Sequence, residues 1–494
     1  MLAFSAQEIA RASGGKLICG DPEALATSCV IDSRTVQPDS LFVAFKGEHS
    51  DGNDYIDAAI AAGATVILSG AQNTDKVSSG ASRTAVIQVN DTLVALQNLA
   101  RYQRSLLEIP VIGITGSSGK TSTKEMIKAA LGTALRVVAT EANNNNELGV
   151  PLTVLSADET SEALVVEMGM RARGEIALLA EIARPQIGVI TTIGDAHIEL
   201  LGSRENIARA KAELLEALPA DGEAIVPANT AYADVLRSVC QTPITRVGLA
   251  PDQADIVASD ITLDEQAFPH ARVSLPDGKT LTLNLSLPGA HNMSNALLAI
   301  ATGLCLNLEP LAMADALATL TPSGMRFTVI RLPQLNIRVI NDSYNANPES
   351  TAAALTTFAA MQTIGKRIAV LGDMLELGTE SAQAHQSILG LTKELGINHA
   401  LTYGDHYQAA GQRSGGNSEH SAGAKAEGRG EQTNRGREEY PHFSASDAGM
   451  DALLQNLIDC IEPGDLVLVK GSRGMRTERV VDALIELDKR SPEC

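Results

Sequence analysis

Residues 111–125 read VIGITGSSGKTSTKE, and the parsing of this stretch decides the fold. A run of apolar, strand-forming residues enters a glycine turn and leaves it as a helix starting near Lys120, the order of a phosphate-binding loop. The common Walker loop, G-x-x-x-x-G-K-[ST], would place its first glycine at Ile114; here the glycine is Gly116, and the loop closes as G-x-x-G-K-T. Inward-turned amides and the helix N-terminal dipole suit a polyphosphate, Lys120 brings a point charge to its outer phosphates, and the Thr121 hydroxyl can ligate Mg2+. Without its flanks the stretch would read as a glycine-rich turn with an exposed lysine; the strand before and the helix after favour the nucleotide.

Outward from the loop the pattern repeats. EALVVEM precedes GEIALLAEIA, and IGVITTIG precedes RENIARAKAELLEAL, so apolar runs without alternation are each followed by an amphipathic helix. That pattern predicts a mostly parallel sheet with helices on both faces, extending over residues 110–331, with an antiparallel hairpin around PDGKT between 255 and 287. Residues 1–109 form a separate α/β unit. LFVAFKG, ATVILSG and TAVIQVN read as strands, YIDAAIAAGA as a helix, and DTLVALQNLARYQRSL as a helix capped by Asp91 or Thr92 that stops before Pro110. A third α/β unit, 332–494, carries KRIAVLGDM, a helix from about 380, HALTYGD, DLVLVKG and RTERVVDALIEL. Within it residues 411–440, rich in Gly, Ser and balanced charge, are expected to be a disordered surface insertion.

Composition narrows the function. The 494 residues suit about three domains at roughly 150 residues each. Lys and Arg number 39 against 59 Asp and Glu, a net charge of −20, and aromatics are 3 % with no Trp, which argues against nucleic acid and anionic membranes as partners. Six scattered cysteines without C-x-x-C spacing read as reduced thiols. With no signal-peptide pattern and no 18-residue apolar run, the expectation is a cytoplasmic chain without stable membrane insertion.

Other residues suggest a site at the strand ends. Glu167 closes one strand and His197 follows another, so both belong at the carboxyl edge of the sheet, where a carboxylate and an imidazole could hold a hard cation with Thr121. Each alone has a bland alternative, Glu167 as a surface acid and His197 as a satisfied loop histidine, and their joint placement favours the metal role. Lys211, beside Ala208 and Leu215 on a helix face, reads as a solvated lysine. Asn292 and Asn295 share a helix face and are ligand amides or caps on equal terms. Arg326 could reach phosphate and Asp342 a ribose hydroxyl.

Together with PQIGVITTIGDAHIELLGSRENIARAKAEL, PGAHNMSNALLA, SGMRF and VINDSYNANP, the tight loop resembles the Mur ligase family, ATP-dependent amide-forming enzymes of bacterial peptidoglycan synthesis. The resemblance covers nearly the whole chain outside 411–440. It implies three domains: an N-terminal α/β uridine-nucleotide domain, a central P-loop-type ATP domain and a C-terminal Rossmann-like α/β ligase domain. IDSRTVQPDSLFVAFKGEHSDGNDYIDAAIAAGA resembles the uridine-nucleotide domain shared by the branches adding the third residue and the terminal dipeptide. EMGMRARGEI, VINDSYNANPESTAAAL and VLGDMLELG look like the dipeptide-adding branch; the D-N-P-R element of the other is not seen, and SYNANPES stands at 343–350.

The resemblance implies a UDP-N-acetylmuramoyl tripeptide and D-alanyl-D-alanine as substrates, ATP and two Mg2+ as cofactors, and a monomer. ATP would phosphorylate the tripeptide carboxylate and the dipeptide amine would displace phosphate. It assigns Gly116, Ser117, Ser118, Gly119, Lys120, Thr121, Ser122, Asn292, Asn295, Arg326 and Asp342 to ATP. Thr121, Glu167, His197 and a carbamoylated Lys211 go to the metals, with Lys120, Glu167, His197 and Lys211 catalytic. Ser33, Arg34, Lys46 and Gly47 would hold the uridine diphosphate, Asn145 and Asn146 the muramoyl peptide, and Lys470 and Arg473 are candidates near the dipeptide. In TEANNNNELGVPLTVL, Ala142 stands where the family form has a glycine.

Two other readings compete. A related amide ligase, diaminopimelate-adding or folylpolyglutamate-forming, is opposed by SYNANPES and by the uridine-type N-terminal domain respectively. A non-catalytic nucleotide switch predicts loss of a phosphate or metal residue, and Lys120, Thr121, Glu167, His197 and Lys211 are all present. Ligands spread over three domains further imply closure around substrate.

Overall fold

The apolar runs become buried strands of three sheets. The computed structural model describes residues 1–47, 50–70, 84–249, 253–322, 324–414 and 440–490, the side chains of 411–414 excepted. Most of the expected 411–440 insertion therefore lies outside the described residues; 411–414 close a helix, Asp405–Ser414.

The loop strand Val111–Thr115 lies inside a nine-stranded sheet, parallel to Ala163–Glu167 on one side and Ile187–Ile190 on the other. Parallel pairing extends to Val137–Ala139 at one edge and through Glu223–Pro227 and Ile244–Gly248 to Ile256–Leu263. The expected hairpin, Pro269–Ser274 with Thr280–Asn284, completes the other edge antiparallel. Alternate strand residues point to opposite cores. Val111, Leu164 and Val166 pack with the helices Gly149–Leu155, Glu175–Ala183 and Arg204–Glu216. Ile112, Ile114, Ala163 and Val165 pack with Lys120–Leu131 and His291–Cys305. With apolar cores on both faces, these strands show no polar alternation. Burying one such aliphatic side chain contributes about 1.5–3 kcal/mol before entropy is counted.

The N-terminal unit is a five-stranded sheet in the order Lys16–Cys19, Ala85–Val89, Ala64–Gly70, Ser40–Val43, Ser28–Val30, parallel except for its first pair. Its helix Thr92–Leu106 is capped by Asp91, whose carboxylate accepts from the Leu93 and Val94 amides. Leu96 and Leu99 of that helix join the central core, so the first two units share packing.

The third sheet has the order Thr328–Leu332, Ile337–Asp342, Leu466–Lys470, Arg367–Gly372, His399–Tyr403, His442–Phe443, antiparallel only in its first pair. The strand Thr328–Leu332 thus crosses the division expected at 331/332. Among the described residues no helix is long and apolar enough to cross a membrane, and Cys19, Cys29, Cys240, Cys305 and Cys460 are free thiols.

Candidate active site

A cleft of about 1020 Å³ opens at the carboxyl ends of the central strands and is closed on its far side by the third unit. The loop forms its floor. Gly119, the residue before the helix, has φ 82°, a left-handed conformation that favours glycine, and a Cβ there would sit 2.9 Å from Oδ1 of Asn295. The ammonium of Lys120 folds back to donate to the Gly116 carbonyl at 2.7 Å. Burial lowers its pKa, with Arg326 adding to the effect and Glu167 opposing it. A poorly solvated ammonium held by one carbonyl gains by exchanging it for a phosphate oxygen.

Glu167 ends its strand beside the loop, 2 % exposed. One oxygen accepts from the Thr121 hydroxyl at 2.8 Å, the other from the Asn145 amide at 2.9 Å. Its backbone amide donates to the Thr140 hydroxyl at 2.9 Å. Among the described residues no ion pair balances this carboxylate, so its buried charge suits a cation at the Thr121 side. No three His, Cys, Asp or Glu side chains converge to form a protein-only cage among the described residues. That donor set fits Mg2+, which keeps waters and phosphate oxygens and takes only one or two protein carboxylates.

Lys211 corrects the reading of a solvated lysine: it is 2 % exposed. Gly113 and Gly188 leave room in the sheet for the side chains of its helix. Cβ atoms there would meet Leu214 at 2.8 Å and Leu218 at 3.0 Å. Lys211 therefore ends inside the cleft wall, where burial, reinforced by the charge of Lys120, pulls its pKa well below the ordinary lysine value. A lowered pKa raises the share of neutral amine, the form that is nucleophilic toward CO2, which is the chemistry carbamoylation needs.

His197 reaches the cleft from a left-handed backbone, φ 64°, at the start of the short helix Ile198–Leu201. Burial lowers its pKa, opposed by Glu376. Neither Asn292 nor Asn295 caps the helix His291–Cys305: the Asn292 amide donates to the Pro288 carbonyl at 2.8 Å and that of Asn295 to Oδ1 of Asn292 at 3.0 Å, and both line the cleft. Arg326 stacks 4.0 Å over the Tyr344 ring. Asp342 accepts from the Phe327 amide at 3.0 Å and from Lys470 Nζ at 2.6 Å.

Asn145 and Asn146 also line the cleft, and Asn146 accepts from the Gly149 amide at 2.9 Å where the helix Gly149–Leu155 begins. Ser33, Arg34, Lys46 and Gly47 are not brought to it. They follow the neighbouring parallel strands Ser28–Val30 and Ser40–Val43, at the carboxyl ends where open sheets bind ligands. Arg34 is paired with Asp32 at 2.6 Å on an 87 % exposed side chain. Arg473 is likewise outside, paired with Glu478 at 3.1 Å.

Sequence reasoning missed the third unit's contacts. Asn347 donates to the Ser117 carbonyl at 3.4 Å and Glu349 accepts from the Asp195 amide at 2.8 Å, so the helix Pro348–Ala360 begins against the loop. The signal was present in SYNANPES, an Asn-Pro start with an acid in the first turn, but nothing local says what it docks on.

Three family models match in succession: the Mur ligase family catalytic domain at residues 26–104, the Mur ligase middle domain at 114–303 and the Mur ligase glutamate ligase domain at 325–473. The UDP-N-acetylmuramoyl-tripeptide–D-alanyl-D-alanine ligase of Bacillus subtilis is 37 % identical over 92 % of this chain and 92 % of its own. That of Escherichia coli is 33 % identical over 92 % and 93 %. Among solved structures, MurF from Acinetobacter baumannii has a TM-score of 0.82 at 29 % identity, covering 98 % of this chain and 99 % of the other. MurF ligase from Thermotoga maritima in complex with ADP has a TM-score of 0.75 at 25 % identity, covering 94 % and 98 %.

Proposed function

From the premise that the chain belongs to the Mur ligase family, we propose that it is an ATP-dependent amide ligase adding D-alanyl-D-alanine to a UDP-N-acetylmuramoyl tripeptide in peptidoglycan precursor synthesis. The observation that carries it is the convergence of Lys120, Thr121, Glu167, His197, Lys211, Asn295, Arg326 and Asp342, from two units, on one cleft. The relatives' names supply the acceptor, and the ADP complex of the Thermotoga relative supports ATP as the nucleotide.

The units proposed are residues 1–109 for the uridine nucleotide, 110–331 for ATP and 332–494 for ligation, with Thr328–Leu332 bridging the last two. Loop amides from Gly116 to Ser122 hold the phosphates, and Lys120 turns from the Gly116 carbonyl to the transferring phosphoryl group. Asn292 and Asn295 face the nucleotide across Gly119, while Arg326 and Asp342 meet it from the third unit's side. Thr121, Glu167, His197 and a carbamoylated Lys211 would hold Mg2+, which supplies charge neutralisation between the oxygens of the acyl phosphate and ADP.

The tripeptide carboxylate attacks the γ-phosphorus and ADP leaves; the dipeptide amine then attacks the acyl carbon, loses a proton, and inorganic phosphate departs. The chain's part is to position these groups and stabilise charge. Ser33, Arg34, Lys46 and Gly47 would hold the uridine end at the N-terminal sheet, with Asn145 and Asn146 along the peptide.

The test is phosphate release by the purified chain with Mg-ATP and UDP-N-acetylmuramoyl tripeptide, with and without D-alanyl-D-alanine, and mass analysis of the product. Release that requires the dipeptide and a product heavier by that dipeptide less water support the proposal. Release requiring instead a diamino acid and the dipeptide-bearing nucleotide would assign the preceding step, and no release with any acceptor would favour a nucleotide switch.

A further inference from the structure

His197 and Glu376 face one another across the boundary between the central and third units, and both hold left-handed backbones, at φ 64° and φ 63°. Such conformations in residues with full side chains persist only where the surroundings enforce them, and they concentrate at functional sites. The third unit supplies the enforcement. In the segment before Glu376, the Met374 amide donates to Nε2 of His385 at 3.0 Å and the Leu375 amide to the Ser472 hydroxyl at 2.9 Å. His385, fully buried, is fixed in turn by Nδ1 donating to the Ser381 carbonyl at 2.7 Å. The Glu376 carbonyl accepts from the Glu199 amide at 3.4 Å, tying the same residue to the segment that follows His197.

The outcome is a carboxylate oxygen of Glu376 placed 2.6 Å from Nδ1 of His197. That nitrogen is buried and lacks a well-aligned hydrogen bond, so a small ring rotation would complete the pair. With Nδ1 turned to Glu376, Nε2 is the nitrogen left for the cleft. Metal-binding histidines commonly donate their other N–H to a carboxylate, which fixes the tautomer and raises ligand basicity.

We infer that Glu376 is a positioning residue for His197: it holds the imidazole as the Nδ1–H tautomer, with Nε2 toward the cation site, only when the third unit is docked. Closure of the ligase domain then completes the metal site as well as enclosing it. The inference rests on the metal role given to His197 above. The bland alternative is a surface ion pair, since Glu376 is 44 % exposed and such pairs contribute little; strain at both partners and the braced segment argue against it.

The test uses the full chain with Mn2+ as probe and a non-hydrolysable ATP analogue, reading bound Mn2+ by electron spin resonance. Glu376→Ala should weaken Mn2+ binding by about tenfold or more, and Glu376→Gln, which keeps the shape but not the charge, by a smaller factor. Glu349→Ala, which removes the acceptor of a separate docking contact at the Asp195 amide, should change Mn2+ affinity by less than about twofold. Wild-type affinity in Glu376→Ala would overturn the inference. So would an equal loss in Glu349→Ala, which would reduce Glu376 to a docking contact. No acceptor is present, so failure of the dipeptide assignment would show separately, as absent ligation by a wild type that binds Mn2+ and nucleotide.

Discussion

Lys470→Met should unfold the third unit at a clearly lower temperature, and Asp342→Asn should reverse most of that loss. The Lys470 side chain is 3 % exposed and that of Asp342 15 %, with Nζ 2.6 Å from Oδ2. Lys470 also donates to the Asn345 carbonyl at 3.0 Å, so the ammonium spans two adjacent strand ends and the loop after them. Removing the amine leaves a nearly buried carboxylate without its cation, a change worth about 3–5 kcal/mol. Asp342 keeps the Phe327 amide and faces the cleft, so the lower figure, about 3 kcal/mol, applies. For a unit of this size that corresponds to about 6–12 °C. In Asp342→Asn/Lys470→Met no charge is stranded, and the pair should couple by about 2 kcal/mol in a double-mutant cycle. Differential scanning calorimetry of the four chains measures it. A Lys470→Met shift below about 2 °C, or strictly additive single changes, would refute the reasoning that this pair is a buried, desolvated one.

Gly119→Ala forces a methyl into a left-handed residue 2.9 Å from Asn295 Oδ1. A cost of about 1–2 kcal/mol at the loop should weaken ATP-analogue binding roughly tenfold by titration calorimetry. His385 is buried and its pKa is lowered, chiefly by burial, with His406 adding to it. The unfolded chain therefore binds more protons as pH falls below the ordinary histidine value of 6.5, and stability of the third unit should decline from there downward. His385→Gln, which keeps an acceptor for the Met374 amide, should flatten that decline in urea titrations at stepped pH. Ala142 sits at φ 49°, so Ala142→Gly relieves left-handed strain at the cost of chain entropy. A net gain of about 0.5 kcal/mol and a small rise in the melting midpoint should follow.

Much of the fold was legible because its signals are local. The loop strand, its helix and the two following strand-helix pairs are apolar runs joined to amphipathic helices, and each lies where it was expected. The parallel strands Glu223–Pro227 and Ile244–Gly248, with the helix Ala233–Val239 between them, went unread. Ile244–Gly248 is only half-buried and carries Thr245 and Arg246, so it lacks the apolar run that marks a buried strand. The site divides in the same way. Lys120, Thr121 and Glu167 follow from strand ends and glycine spacing, whereas Lys211 looks like any helix lysine. Its burial depends on Gly113 and Gly188, about 98 and 23 positions away in the chain, thinning the sheet beneath its helix.

The sequence by itself therefore determined the α/β class, the tight phosphate loop and the strand-end acids, because hydrophobic periodicity and glycine placement act over a few residues. Tertiary structure decided which side chains lost their water and which met across units: Lys211 behind the loop, Lys470 on Asp342, Asn347 on Ser117 and Glu376 against His197. Those pairings come from sheet order and domain docking. Desolvation and proximity, which set charge state and metal preference, are properties of the packed chain, with no local pattern to announce them.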